Sequence, residues 1–161
     1  MFEKFGEFDS AEELNRAAAA QRSEGDIEAL AALAEENGID REDVQDYIDG
    51  FMNELVNPWM AAEGKLKVEK EDLQNKVEII GDWMTYLLLE CQENDEMCRA
   101  VRRKGKSLRN CIAGILEWSL KNAEPVDQEI LKACKITYKV TLGIPGAATA
   151  KRLIREYYLG G

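Results

Sequence analysis

Apolar residues recur at spacings of three and four along most of the chain. Ile27, Leu30, Leu33 and Ala34 form one such set, and Val44, Tyr47 and Ile48 another. Val77, Ile80, Trp83, Met84, Leu87, Leu88 and Cys91 form a longer third, and Leu108, Cys111, Ile112, Ile115, Leu116 and Leu120 a fourth. A period near 3.6 puts each set on one face of an α-helix. Start and stop residues bracket these sets. Ser10-Ala11-Glu12-Glu13 is a capping box: the hydroxyl accepts from the Glu13 N–H and the Glu13 carboxylate reaches back. The helix it opens runs through Ala17–Ala20 and stops near Gly25. Asp26 caps a second, from Ile27 to Glu36, which ends at Asn37-Gly38, residues that tolerate positive φ. Asp40 caps a third, ended or bent at Gly50. A fourth spans Phe51 to Ala62, bent or restarted at Asn57-Pro58. A central helix begins near Lys70, a short one at Asn94 or Asp95, and others at Ser107 and Asp127. The Gly143-Ile144-Pro145-Gly146 turn leads into a last helix over Ala147 to Leu159.

Two stretches alternate instead. Leu66 and Val68 are interleaved with Lys65, Lys67 and Glu69. Ile136, Tyr138, Val140 and Leu142 are interleaved with Thr137, Lys139 and Thr141. Period two predicts short strands or extended segments. The expected fold is therefore mainly α, a compact multi-helix domain with a short two-stranded β element around 66–68 and 137–142. The expected division is an acidic helical N-terminal lobe, 1–64, and a helical core, 65–161, that carries a basic turn and the C-terminal helix.

Charge sharpens this division. Residues 1–96 hold 26 acids and 8 bases, whereas residues 97–161 hold 5 acids and 13 bases. Such asymmetry points to partner binding, or to two halves that attract one another. Asp40, Asp43, Asp46 and Asp49 recur every three residues. An EF-hand needs acids at alternating positions and a central glycine, so an acidic solvated ridge is the better reading. Arg99, Arg102, Arg103, Lys104, Lys106 and Arg109 surround Gly105 at a helix start, where backbone N–H groups already favour an anion. That cluster is a candidate site for nucleic-acid phosphates or for a partner protein. Without interleaved aromatics it does not imply base readout.

Catalytic chemistry has little to work with. The chain has no histidine, which removes the commonest acid–base group and the Ser-His and Cys-His nucleophile pairs. No phosphate-binding glycine motif is present. Cys91, Cys98, Cys111 and Cys134 form no C-x-x-C pair and read as small apolar residues. A non-enzymatic protein without cofactor or metal is expected. No apolar run nears the ~20 residues of a membrane span, and the first residues lack a secretory pattern, so a cytoplasmic location is expected. Trp59, Trp83 and Trp118 are candidate core or interface anchors, and a homo-oligomer is one way to use them.

The segment Arg103-Lys104-Gly105-Lys106-Ser107-Leu108-Arg109-Asn110-Cys111-Ile112 precedes a helix, and the terminal helix ends Tyr157-Tyr158. Over roughly residues 95–160 this resembles the PcfK-like proteins of conjugative and integrative elements, which are grouped with a Cas9-inhibitor (anti-CRISPR) family. The resemblance implies a protein of a mobile genetic element that binds a CRISPR effector and blocks it. Effectors of the Cas9 type carry positive channels for the guide–target duplex. An acidic helical surface, with Asp40, Asp43, Asp46 and Asp49 facing the partner, would compete for such a channel. The alternatives are a nucleic-acid-binding accessory protein of a conjugative element, acting through the 99–109 cluster, and a protein–protein adaptor.

Overall fold

The computed structural model describes residues 1–75 and 77–160. The described residues are mainly helical, with one small antiparallel sheet. The helices are α1 (Ala11–Glu24), α2 (Ile27–Glu36), α3 (Arg41–Asp49), α4 (Pro58–Glu71), α5 (Glu78–Glu93), α6 (Asp95–Arg102), α7 (Leu108–Lys121), α8 (Gln128–Ala133) and α9 (Ala147–Leu159). Strands β1 (Glu124–Pro125) and β2 (Thr141–Leu142) pair with Glu124 opposite Leu142.

Local chemistry accounts for most of the helix ends. Ser10 Oγ accepts from the Glu13 N–H at 3.1 Å, and the Glu13 carboxylate accepts from the Asp9 N–H at 2.8 Å. Asp26, Asn57, Asn94, Ser107 and Asp127 each cap a helix through a side-chain oxygen. Gly25 and Gly50 close α1 and α3 in the left-handed conformation that glycine adopts without strain. Asp40 stands at the expected position before α3, but its side chain makes no capping bond. Its carboxylate instead accepts from Lys67 Nζ at 2.8 Å.

Three expectations are corrected. The alternating stretch at 66–68 is not a strand but the middle of α4, so the partner of the 141–142 strand is Glu124–Pro125. Helix α4 itself starts at Pro58, because Asn57 caps it and proline suits a first helical position. The preceding residues 51–57 are irregular and tied to α1: Asn15 both donates to Val56 O and accepts from its N–H, at 2.8 and 3.0 Å. The central helix α5 starts at Glu78 rather than near Lys70, leaving Val77 exposed ahead of it.

Two hydrophobic clusters lie on either side of α4. One joins Leu14, Leu30, Leu33, Val44, Tyr47 and Leu55 from the first three helices and the following loop, and α4 adds Ala61 to it. The other joins residues of α5, α6, α7 and α9, including Leu87, Met97, Leu108, Ile115 and Ile154, and α4 adds Ala62 and Leu66. The boundary expected at 64/65 therefore falls inside one continuous helix. At that point α4 crosses the end of α2 so closely that Gly38 and Gly64 meet backbone to backbone. A Cβ on either glycine would lie under 3.0 Å from a backbone oxygen of the other segment.

Candidate partner-binding surfaces

Alongside the two apolar clusters runs a set of buried polar groups, and the basic turn is built around it. Lys65 is fully buried. Its Nζ donates to the Glu7 carboxylate at 2.6 Å and to the carbonyl oxygens of Arg103 and Lys106 at 2.9 and 2.8 Å. One turn on, the buried Glu69 accepts from the Leu108 N–H at 2.9 Å. Burial raises the Glu69 pKa, which the Leu108 bond and Lys65 oppose. Arg102 is also buried; it donates to Asn37 Oδ1 and faces the Phe2 ring at 5.6 Å. Burial lowers its pKa to about 10, with Glu7 and Glu69 acting the other way, so it stays a cation at neutral pH.

The other members of the 99–109 cluster are engaged in the same manner. Arg99 pairs with Glu12 at 2.7 Å and Arg109 with Asp72 at 2.9 Å. Lys106 Nζ donates to Tyr157 O at 2.6 Å and stands 4.9 Å from the Tyr157 ring. The Lys104 N–H is held by Asp9, while the side chains of Arg103 and Lys104 are exposed and make no ion pair among the described residues. Three N–H groups at the start of α7, where an outside anion would dock, are taken: that of Ser107 by the Tyr157 hydroxyl, that of Leu108 by Glu69 and that of Asn110 by Ser107 Oγ. Four of the six cations thus act within the chain. Lys65, Glu69, Glu7 and Asn37, which organise the turn, were not legible as a group. The one available signal was the Lys65–Glu69 spacing of four, which matters only once 66–68 is helical.

The acidic surface is arranged differently. Asp46 and Asp49 are exposed, Asp43 is half-buried, and Asp40 has one cationic partner, Lys67. Asp49 accepts from Gln45 at 2.9 Å, a neutral donor. Asp40 and Asp43 meet Glu63 of α4 across a cleft of about 270 Å³, which Trp59 and Met60 also line. Burial, then repulsion from Asp40, Asp46 and Glu42, raises the Asp43 pKa. Burial also raises that of Glu63, with Lys67 opposing and Asp40 and Asp43 adding. Like charges therefore stay crowded here without enough cations to settle them.

Stability should register this crowding. A carboxyl with a raised folded pKa binds its proton more tightly folded than unfolded. Stability is then lost as pH rises from the ordinary carboxyl range through the raised value. Asp43→Asn should raise the melting temperature at pH 7 by about 1–2 °C, and the gain should vanish once the solution is acid enough to protonate Asp43 in both states. Thermal melts of both proteins across pH 3.5–7.5 (roughly the carboxyl range and above) check it.

A second unsatisfied surface is apolar. Only the first half of the predicted α7 stripe is buried, through Leu108, Cys111 and Ile115; Leu116 and Leu120 face outward. The excursion that follows, through β1, α8 and β2, exposes Ile130, Tyr138, Leu142 and Ile144 and buries Leu131 as its main apolar anchor. It is fastened to α7 by Gly143, whose backbone lies against Ser119 O too closely for any side chain. Of the tryptophans, Trp83 is buried in the larger cluster, while Trp59 and Trp118 are half-buried.

Cys91, Cys98 and Cys111 are buried thiols. Burial pushes all three up, Cys111 to about 12, which makes them poor nucleophiles and good packing groups. Cys134 is exposed. Among the described residues no group of three or more carboxylate or thiol side chains could hold a metal ion, and no helix is long and apolar enough to cross a membrane. No protein-family pattern, characterised protein or solved structure matches the chain.

Proposed function

We propose that this chain is a non-enzymatic binding protein that engages a cationic surface of a partner protein through the carboxylates of α3 and the adjoining part of α4. The observation that carries this reading is the contrast between the two charge clusters. Arg99, Arg102, Lys106 and Arg109 are consumed by contacts inside the fold. Asp43, Asp46, Asp49 and Glu63 make no ion pair among the described residues, and Asp43 and Glu63 are raised in pKa first by burial and then by neighbouring carboxylates, with Lys67 opposing at Glu63. A cationic partner would relieve that repulsion, and the relief adds to the binding energy. Following the resemblance at 103–112, the partner is a CRISPR effector of the Cas9 type. The acidic helices would occupy the positive channel that otherwise holds the nucleic-acid backbone.

Replacing Asp43, Asp46 and Asp49 together by lysine should weaken binding to a guide-loaded Cas9-type effector by at least about a hundredfold, some 2.7 kcal/mol. The wild-type affinity should fall steeply with salt. Calorimetric titration of both proteins at two salt concentrations measures this; unchanged affinity in the triple variant removes the acidic-surface reading. The adaptor reading draws on a separate observation, the exposed Leu116, Leu120, Tyr138 and Ile144. Such residues mark a protein-contact surface where they form one contiguous patch.

A further inference from the structure

An open groove of about 490 Å³ lies between α2, α3 and the second half of α4. Its apolar lining includes Ile27, Ala31, Val44, Ile48 and Val68. The groove exists because of how α2 distributes its residues. Its leucines, Leu30 and Leu33, are fully buried in the core, while Ala31 and Ala34 line the groove with little bulk. Ile27 remains 43% exposed at its edge. The rim is charged. Glu35, Asp40 and Glu71 line it together with Arg41 and Lys67, and Lys67 is already committed to Asp40.

We infer that this groove receives an amphipathic helix of a partner protein, one with an apolar stripe flanked by lysines or arginines. The inference rests on the reading that the acidic half of the chain faces a partner, and it names what that partner presents. A helix laid in an apolar furrow inserts side chains at i, i+3, i+4 and i+7. The alanines of α2 leave room for such side chains, and Val44, Ile48 and Val68 supply their contacts. Charge complementarity selects the flanks. Glu35 and Glu71 have no ion-pair partner among the described residues, against one such cation on the rim, Arg41, and the first 96 residues carry a large acidic excess. A helix flanked by carboxylates would be repelled from the same groove.

The probe is a labelled peptide of about 18 residues, long enough to form a helix, built of leucine and lysine with the leucines on one helical face. A second peptide of identical composition has its leucines scattered. Fluorescence anisotropy with the full chain should give at least about tenfold tighter binding for the ordered peptide. Ala31→Trp fills the furrow and Ile27→Lys places a cation at its edge. Both positions are exposed, and thermal melts confirm folding. Each variant should lose at least about tenfold in affinity for the ordered peptide. Equal binding of the two peptides, or unchanged binding by both variants, overturns the inference. The Asp43, Asp46 and Asp49 lysine variant separates the two proposals, since none of those residues lines the groove. If it still prefers the ordered peptide yet binds the effector as wild type does, the groove stands and the acidic-surface reading falls.

Discussion

Replacing Lys65 by alanine will cost the fold about 3–5 kcal/mol, the penalty for breaking a buried ion pair from one side. A domain of this size is stable by about 5–15 kcal/mol, so the variant will be largely unfolded under mild denaturing conditions. Lys65 is fully buried and its ammonium is saturated by the Glu7 carboxylate and the carbonyls of Arg103 and Lys106. Alanine removes this donor from all three acceptors, of which the Arg103 oxygen keeps the Lys106 N–H at 3.3 Å, and opens a cavity where the stem packed. It also removes the nearest cation from the buried Glu69, 4.0 Å away. Lys65→Met restores most of the packing but none of the donors, and should recover only part of the loss. Urea denaturation of the three proteins at neutral pH checks this ordering. A Lys65→Ala midpoint close to wild type would mean that water takes over the lost contacts and that the turn does not depend on them.

The second large effect is expected at Gly64. Glycine to alanine inside a helix normally stabilises by about 0.5–1 kcal/mol. At Gly64 the same change should destabilise by about 3 kcal/mol, at the upper end for overpacking. The new methyl would collide with the Asn37 carbonyl oxygen, a backbone atom at the end of α2 that no rotamer change can move. Gly81 in α5 and Gly114 in α7 are built-in controls, because a Cβ there meets nothing within 4 Å. Those two alanine variants should gain stability where Gly64→Ala loses it. Denaturation midpoints read the sign directly, and a gain at Gly64 would show that α2 and α4 are not held at backbone contact.

Gly64 also shows where the chain was legible and where it was not. Caps and stops are local, so α1 and α2 could be delimited from Ser10, Gly25, Asp26 and Asn37 alone. A glycine followed by alternating Leu66 and Val68 reads as the end of a helix and the start of a strand. The reason for that glycine lies 27 residues away in the Asn37 carbonyl oxygen, and nothing in local propensity reports it. The same holds for the charges. Arg102 in a run of cations looks like part of an outward patch, yet its partner Asn37 is 65 residues distant. The stripe on α7 predicts an apolar face correctly, but period alone does not say how far along that face the core extends. Burial stops at Ile115 and leaves Leu116 and Leu120 outside. Asp46 and Asp49 are exposed, which is what an apolar stripe of Val44, Tyr47 and Ile48 leaves for the residues between them, whereas the half-buried place of Asp43 against α4 depends on a helix distant in sequence.

Which half of the charge faces outward can be read from a gel-shift competition. A labelled DNA duplex is mixed at low salt with the chain alone, with a guide-loaded Cas9-type effector alone, and with both. The chain alone should give no shift. It should abolish the effector's shift, and the Asp43, Asp46 and Asp49 lysine variant should leave that shift intact. A shift of the DNA by the chain itself, with the effector's own shift undisturbed, would contradict the acidic-surface reading and place the working surface at Arg103 and Lys104 instead.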